Sequence, residues 1–165
     1  MKDKQTNDFP ETFYSFIEIQ ANTNEKYEYD HELDALVLDR FLYTSMVYPT
    51  NYGSILGTKA KDGDPLDVLV ISAPIQRGCA IKCRAVGLLE MNDEEGVDHK
   101  ILAVPVEKVD PSSASIRDIG DLPQHFKDRL KHFFEHYKEL EKGKFVKLGA
   151  FKGKAEAIAL IRESK

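Results

Sequence analysis

Six short segments of strand character fill residues 13 to about 105, and no long helical pattern begins before they end. They are "FYSFIEIQ", "KYEYD", "ALVLDRF", "LDVLVIS", "AIKCRAVGLLEM" and "KILAVPV". Turn signals at Asn22, Asn24, Gly53, Gly57, Asp62-Gly63 and Gly96 punctuate them. Many short strands ahead of any long helix predict a sheet closed, or partly closed, into a barrel.

The texture changes after Pro111. "SIRDIGDLP" reads as a short helical turn and loop. "PQHFKDRLKHFFEHYKELEKG" then reads as a helix over 123–143, with Asp121 as its N-cap and Gly143 as its stop. Phe126, Leu130, Phe133, Phe134, Tyr137 and Leu140 recur at helical period and form its apolar stripe. "AEAIALIRES" reads as a terminal helix. The expected fold is α+β and mainly β, a β-barrel with flanking α-helices in one domain over 1–165.

Composition narrows what such a barrel does. The net charge of −5 gives no bulk attraction to nucleic acid or to an anionic membrane. Apolar runs such as "VLVI" are far too short to span a bilayer. The first residues, "MKDKQTNDFPETF", lack the apolar core of a signal peptide. Cys79 and Cys83 are the only cysteines, too few for a disulfide framework or a zinc site. Four apart in an alternating run, they are expected on one strand face as small core residues. These features point to a reducing cytoplasm.

"DGDPLDVLVIS" crowds Asp62, Asp64 and Asp67 against the edge of an apolar run. Two carboxylates ~4 Å apart repel by roughly 4 kcal/mol at an effective dielectric near 20. A cation would offset that. Side chains alternate along a strand, so Asp62 and Asp64 share a parity that Asp67 does not. All three converge only if the chain bends, and Gly63 and Pro65 allow the bend. "DGDP" is therefore a turn, and the strand starts near Leu66. An EF-hand loop counted from Asp62 fails, with Asp67 where Gly is needed and Ala73 where Glu is needed.

"EMNDEEGVDHK" supplies a second acidic turn, with Asp93 and Asp98 among its carboxylates and Gly96 as the hairpin signal. Taken alone, such a turn faces solvent. Two acidic turns meeting at one barrel rim would instead hold several Mg²⁺ ions, since Mg²⁺ takes few protein carboxylates each. Lys26, Arg40, Tyr48, Tyr52, Tyr137 and Lys138 add cations and phenols. Carboxylates with Mg²⁺ beside Lys, Arg and Tyr make a site for a polyanion such as phosphate.

At this point the chain resembles the soluble family I inorganic pyrophosphatases, specifically the short bacterial type. "DGDPLDVLV" matches that family's Asp-x-Asp-Pro-x-Asp signature. "IEIQANTNEKYEYD", "VLDRF", "YPTNYG", "CRAVGLLEMNDEEGVDHKILAVP" and "IRDIGDLP...HFFEHYKELEKGKFVK" extend the match in family order from about residue 13 to about 148. The resemblance implies a five-stranded OB-like β-barrel with flanking helices. It also implies Mg²⁺-dependent hydrolysis of pyrophosphate to two orthophosphates, with several Mg²⁺ per active site. Asp62, Asp67 and Asp98 would hold the first ion, and Asp67 would bridge to a second. Asp93 and Asp98 would bind further ions, with Glu18 lining the same cavity. Asp64 would be the general base. Lys26, Arg40, Tyr52, Lys100, Tyr137 and Lys138 would hold phosphate oxygens, and Glu28 and Tyr48 would support the site. Gln20 stands where the family usually has Pro, Ser54 where an aromatic residue is usual, and Phe145 where Trp is frequent. None of these removes a ligand or a charged contact.

Two rival patterns fall short. "HFFEH" spells a zinc-peptidase motif, but only 29 residues follow it to supply a third ligand. His125, His132 and His136 instead form a stripe beside the apolar face, read as a packed or subunit-contact edge, and the resemblance implies a homohexamer assembled through this region. A small barrel that binds single-stranded nucleic acid would want a basic groove, whereas the suspected rim is acidic.

Overall fold

In this computed structural model residues 4–165 are described. The fold is mainly β, with two α-helices and a mixed sheet. β1 (Phe13–Ile19) alternates strictly, burying Phe13, Ser15, Ile17 and Ile19 and leaving the residues between them half-buried. It pairs antiparallel with β4 (Asn51–Ile55), and β4 pairs antiparallel with β5 (Asp67–Val70). β5 runs parallel to β8 (Lys100–Pro105), and β8 runs antiparallel to β6 (Ala80–Asp93). β6 then pairs with β1, so five strands form a closed ring. β7 (Gly96–Val97) closes a hairpin on the end of β6, and β9 (Val146–Gly153) pairs along β6. β2 (Glu25–Asp30) and β3 (Ala35–Phe41) make a separate two-stranded sheet.

Alternation along these strands sorts side chains into two buried clusters. One takes Phe13, Ile17, Ile55, Val68, Cys83, Ile101 and their neighbours from all five ring strands. Ala157 and Ile161 of α2 (Lys154–Glu163) complete it. The other takes Leu69, Leu89, Leu102 and Val104 from opposite faces of the same strands, with Leu130, Phe133 and Phe134 of α1 (Gln124–His136).

Ring closure depends on Gly53. It faces Ile17 across the β1–β4 ladder, and a Cβ built on it would sit 1.8 Å from the Phe16 carbonyl oxygen. No side chain fits there. The same ladder slips one residue further on, because Ile17 pairs with Gly53 and Ile19 with Tyr52. Glu18 is the extra residue, and such a bulge re-aims its side chain.

Several expectations need correction. β4 and β9 carry no strong strand signal, since Asn and Gly stand in the first and Lys and Gly in the second; tertiary pairing imposes them. The long helix is shorter than 123–143. It starts after Pro123 and ends at His136. Asp121 does not cap it: its carboxylate accepts from Arg117 N and Asp118 N at 2.9 and 3.1 Å, closing a capping box on a preceding 3₁₀ turn. Beyond His136 the chain turns, and Leu140 is 63% exposed, off the apolar stripe. Cys83 is buried as expected, but Cys79 lies before β6 and is half-buried.

Gly53→Ala is expected to destabilise the fold by about 3 kcal/mol or more, because the clash is with backbone and cannot relax by a rotamer change. Gly120→Ala, whose Cβ would meet nothing within 4 Å, is the control. Equal melting temperatures for the two variants would refute the constraint.

Candidate active site

A cavity of about 670 Å³ opens beside the ring and is lined by every predicted site residue except Tyr48. Glu18 enters it from the β1 bulge, and Lys26, Glu28 and Arg40 from the β2–β3 sheet. Tyr52 comes from β4 and Asp67 from the first position of β5. Asp93 ends β6, Asp98 lies between β7 and β8, Lys100 opens β8, and Tyr137 and Lys138 come from the turn after α1. Tyr48 stands behind the cavity, 2% exposed, against the rings of Tyr52, Phe133 and Tyr137. It packs behind the wall and does not line the cavity itself.

The first acidic turn bends as the parity argument requires. Gly63 has φ 98°, Asp64 N donates to Asp62 Oδ1 at 3.0 Å, and Ala60 N donates to Asp64 O at 2.7 Å. Asp62 and Asp64 are exposed at the cavity mouth. Asp67 lies deeper. The buried Lys100 ammonium reaches Asp67 Oδ2 at 2.5 Å, Asp98 Oδ1 at 2.7 Å and the Tyr52 hydroxyl at 3.1 Å. His99 steadies this segment by accepting from Met91 N at 3.0 Å through Nδ1.

Protonation follows from these neighbours. Burial would raise Asp67, but the Lys100 charge and hydrogen bonds from Lys100, Tyr52 and Asp98 hold it below the usual carboxylate range. Burial raises Asp98, and the Asp67 charge adds to it against Lys100. Lys100 is raised, because its two carboxylates outweigh its burial. Burial, with the Asp67 charge second, pushes Glu18 up to about 8.

Further cations line the same cavity. Lys26 and Arg40 are direct cross-strand partners, and the slip between Lys26 and Tyr27 makes Asp39 a bulge residue. Asp39 Oδ2 lies 3.5 Å from Lys26 Nζ and also pairs with Arg40. Lys26 pairs in addition with Glu28 at the exposed edge. Lys138 Nζ binds Asp93 at 3.1 Å and Glu94 at 3.0 Å. Burial would raise Asp93, but the Glu95 backbone N–H and Lys138 hold it low.

Asp39, Glu94, Glu141 and Lys144 also line the cavity and were missed among the predicted site residues. Asp39 and Glu94 stood inside quoted motifs, each next to a residue that was named. Glu141 and Lys144 also stood inside a matching segment, but the turn after α1 read as helix and gave no sign that they face the cavity. His125 and His132 line a separate hollow of about 480 Å³ with Val47, Pro49 and Asp128, which shares no residue with the cavity. His136 pairs with Glu139 at 2.8 Å.

The donors fit a hard divalent cation. All are carboxylate oxygens, and the Lys100 ammonium shows Asp67 and Asp98 converging on one cation-sized position. Among the described residues no three His, Cys, Asp or Glu side chains converge on one point. Asp62 and Asp64 share the cavity with Asp67 and Asp98 without forming one cluster. Carboxylates, Lys, Arg and Tyr lining one polar cavity are the residue types that proteins of the phosphoryl-transfer class use.

The inorganic pyrophosphatase family model matches residues 15–165. The inorganic pyrophosphatase of Thermoplasma volcanium is 61% identical over 166 residues, covering 100% of this chain and 98% of its own. A crystal structure of an inorganic phosphatase from Anaplasma phagocytophilum superposes with a TM-score of 0.96 at 46% identity, covering 99% and 96% of the two chains. The inorganic pyrophosphatase of Helicobacter pylori gives 0.94 at 43% identity, covering 98% and 95%. The chain belongs to the inorganic pyrophosphatase family, as its motifs implied.

Glu18 gives a pH test. The metal-free native state holds a proton that the unfolded chain releases, between the ordinary value of 4.5 and about 8. The native state therefore binds more protons across that window, and stability falls as pH rises through it. Urea unfolding of chelated protein is expected to show lower stability at pH 8 than at pH 5, with a smaller difference in Glu18→Gln. An unchanged difference in that variant would remove Glu18 as the cause.

Proposed function

We propose that the chain hydrolyses inorganic pyrophosphate to two orthophosphates with several Mg²⁺ ions in the cavity. The observation that carries this reading is the pairing of Asp67 with Asp98 around one ammonium, in a cavity that Lys26, Arg40 and Lys138 also line. Asp62, Asp67 and Asp98 would hold the first ion, with Asp67 bridging to a second, and Asp93, Asp98 and Glu18 would serve the others. Bound Mg²⁺ would acidify a water and neutralise phosphate charge.

The chain's own groups supply the rest. Asp64, exposed at the mouth, accepts the proton of the attacking water. Lys26, Arg40, Lys100 and Lys138 hold phosphate oxygens, and Tyr52 and Tyr137 donate to them. Burial keeps both phenols protonated by raising them above their ordinary value. A P–O bond forms to the water oxygen as the bridging P–O bond breaks. The bridging oxygen leaves with its electron pair on the second phosphate. No organic group needs a pocket.

The ring of five strands is, in this reading, an OB-like barrel in a single domain over 1–165. The protein would work in the cytoplasm; no helix among the described residues is long and apolar enough to cross a membrane. It would assemble as a homohexamer, with the stripe of His125, His132 and His136 on the contact edge. The acidic rim disfavours nucleic acid as a ligand.

Purified protein with pyrophosphate and Mg²⁺ is expected to release orthophosphate, and chelation should stop it. No turnover, or turnover indifferent to chelation, would sink the proposal. Asp67→Asn should weaken metal binding by about tenfold or more. Asp64→Asn should slow turnover by about 10²–10⁴-fold with metal affinity largely kept; equal losses of metal affinity would undo the division of roles. Sedimentation should give a species six chains in size, and a monomer would discard the hexamer.

A further inference from the structure

We propose that Glu141 is a positioning residue, holding the Arg40 guanidinium so that its outer pair of N–H bonds faces the phosphate. This rests on Arg40 binding pyrophosphate as proposed above. Arg40 lies on β3, and Glu141 lies in the turn after α1, 101 residues away in sequence. Both line the cavity. Arg40 Nε lies 2.8 Å from Glu141 Oε1, a close ion pair rather than an aligned hydrogen bond. Arg40 Nη2 donates to Glu141 Oε2 at 3.1 Å, and Nη1 donates to Asp39.

A guanidinium has five N–H bonds in a fixed plane. The carboxylate of Glu141 covers the edge formed by Nε and Nη2. Asp39 takes one bond of Nη1. One N–H on each terminal nitrogen is left to meet oxygens of a phosphate. No acceptor among the described residues takes them. With one edge clamped and Nη1 tied, the plane cannot turn. The rotamer freedom of Arg40 is lost on folding rather than on binding.

The location of Glu141 argues for this role. It is 7% exposed and negative, inside a cavity proposed to bind a polyanion. Such a charge opposes the substrate unless it orients a group that binds it. Its other cation, Lys144, is looser at 3.9 Å and itself exposed. The turn holding Glu141 also presents Tyr137 and Lys138. The Arg40–Glu141 link therefore ties the β2–β3 sheet to the turn that carries Tyr137 and Lys138.

The test is a double-mutant cycle on pyrophosphate hydrolysis at saturating Mg²⁺, with KM and kcat measured separately. Glu141→Ala should raise KM about tenfold and change kcat by less than about threefold. In an Arg40→Lys background the same change should raise KM less than about twofold, because an ammonium has no edge to clamp. Glu141→Gln, of equal volume, runs the same cycle should the alanine variant not fold. An equal KM factor in both backgrounds, or an unchanged KM in a variant that melts like the wild type, overturns the assignment. Those outcomes leave the proposed activity standing, whereas a wild type without turnover removes both.

Discussion

Lys100 is 2% exposed, and its Nζ lies within 2.7 Å of carboxylate oxygens from both Asp67 and Asp98. Its own strand, β8, runs parallel to the strand that Asp67 begins, and Tyr52, which it also touches, lies on the next strand round the ring. One ammonium therefore ties three adjacent strands at the rim. A buried charge is tolerated only when paired, and each partner here is itself under the influence of the other. The two carboxylates raise Lys100, Lys100 holds Asp67 down, and Asp67 pushes Asp98 up. The same crowding that makes the metal-free site electrostatically strained suits it to a divalent cation.

The ring and the site use irregularities in the same ladders. Gly53 lets β1 and β4 approach closely, and the slip beside it turns Glu18 into the cavity. In the two-stranded sheet, a slip leaves Asp39 unpaired beside Lys26 and Arg40, where it pairs with both. Regular alternation would send these acids to a fixed face at a fixed spacing. A bulge frees one residue from that rule without losing the ladder.

Much of this was legible in the chain. The parity of Asp62, Asp64 and Asp67 required a bend, and the bend is there, with Gly63 at positive φ and β5 starting at Asp67. The alternation of "FYSFIEIQ" set which face of β1 is buried. The turn at Gly96 closed the predicted hairpin. Less legible was β4, whose "NYGSI" lacks strand composition because close approach demanded glycine. Helical period ran on through Leu140, yet the helix stopped at His136. Lys138 and Glu141 are drawn to Asp93, Glu94 and Arg40, and those partners lie far off in sequence. Local propensity cannot register a pull from residues 44 to 101 positions away.

By itself the sequence determined the family and the residues that gather in the cavity, all of those singled out but Tyr48. Carboxylates, cations and phenols occur in fixed motifs, and residue type and spacing are local properties that a chain displays unfolded. Tertiary structure alone decided the pairings: Lys100 between Asp67 and Asp98, Lys138 on Asp93 and Glu94, and Glu141 against Arg40. Each joins groups brought together by strand order and by the end of a helix. Their charge states depend on burial and on neighbours within a few ångströms, which exist only once the ring has closed.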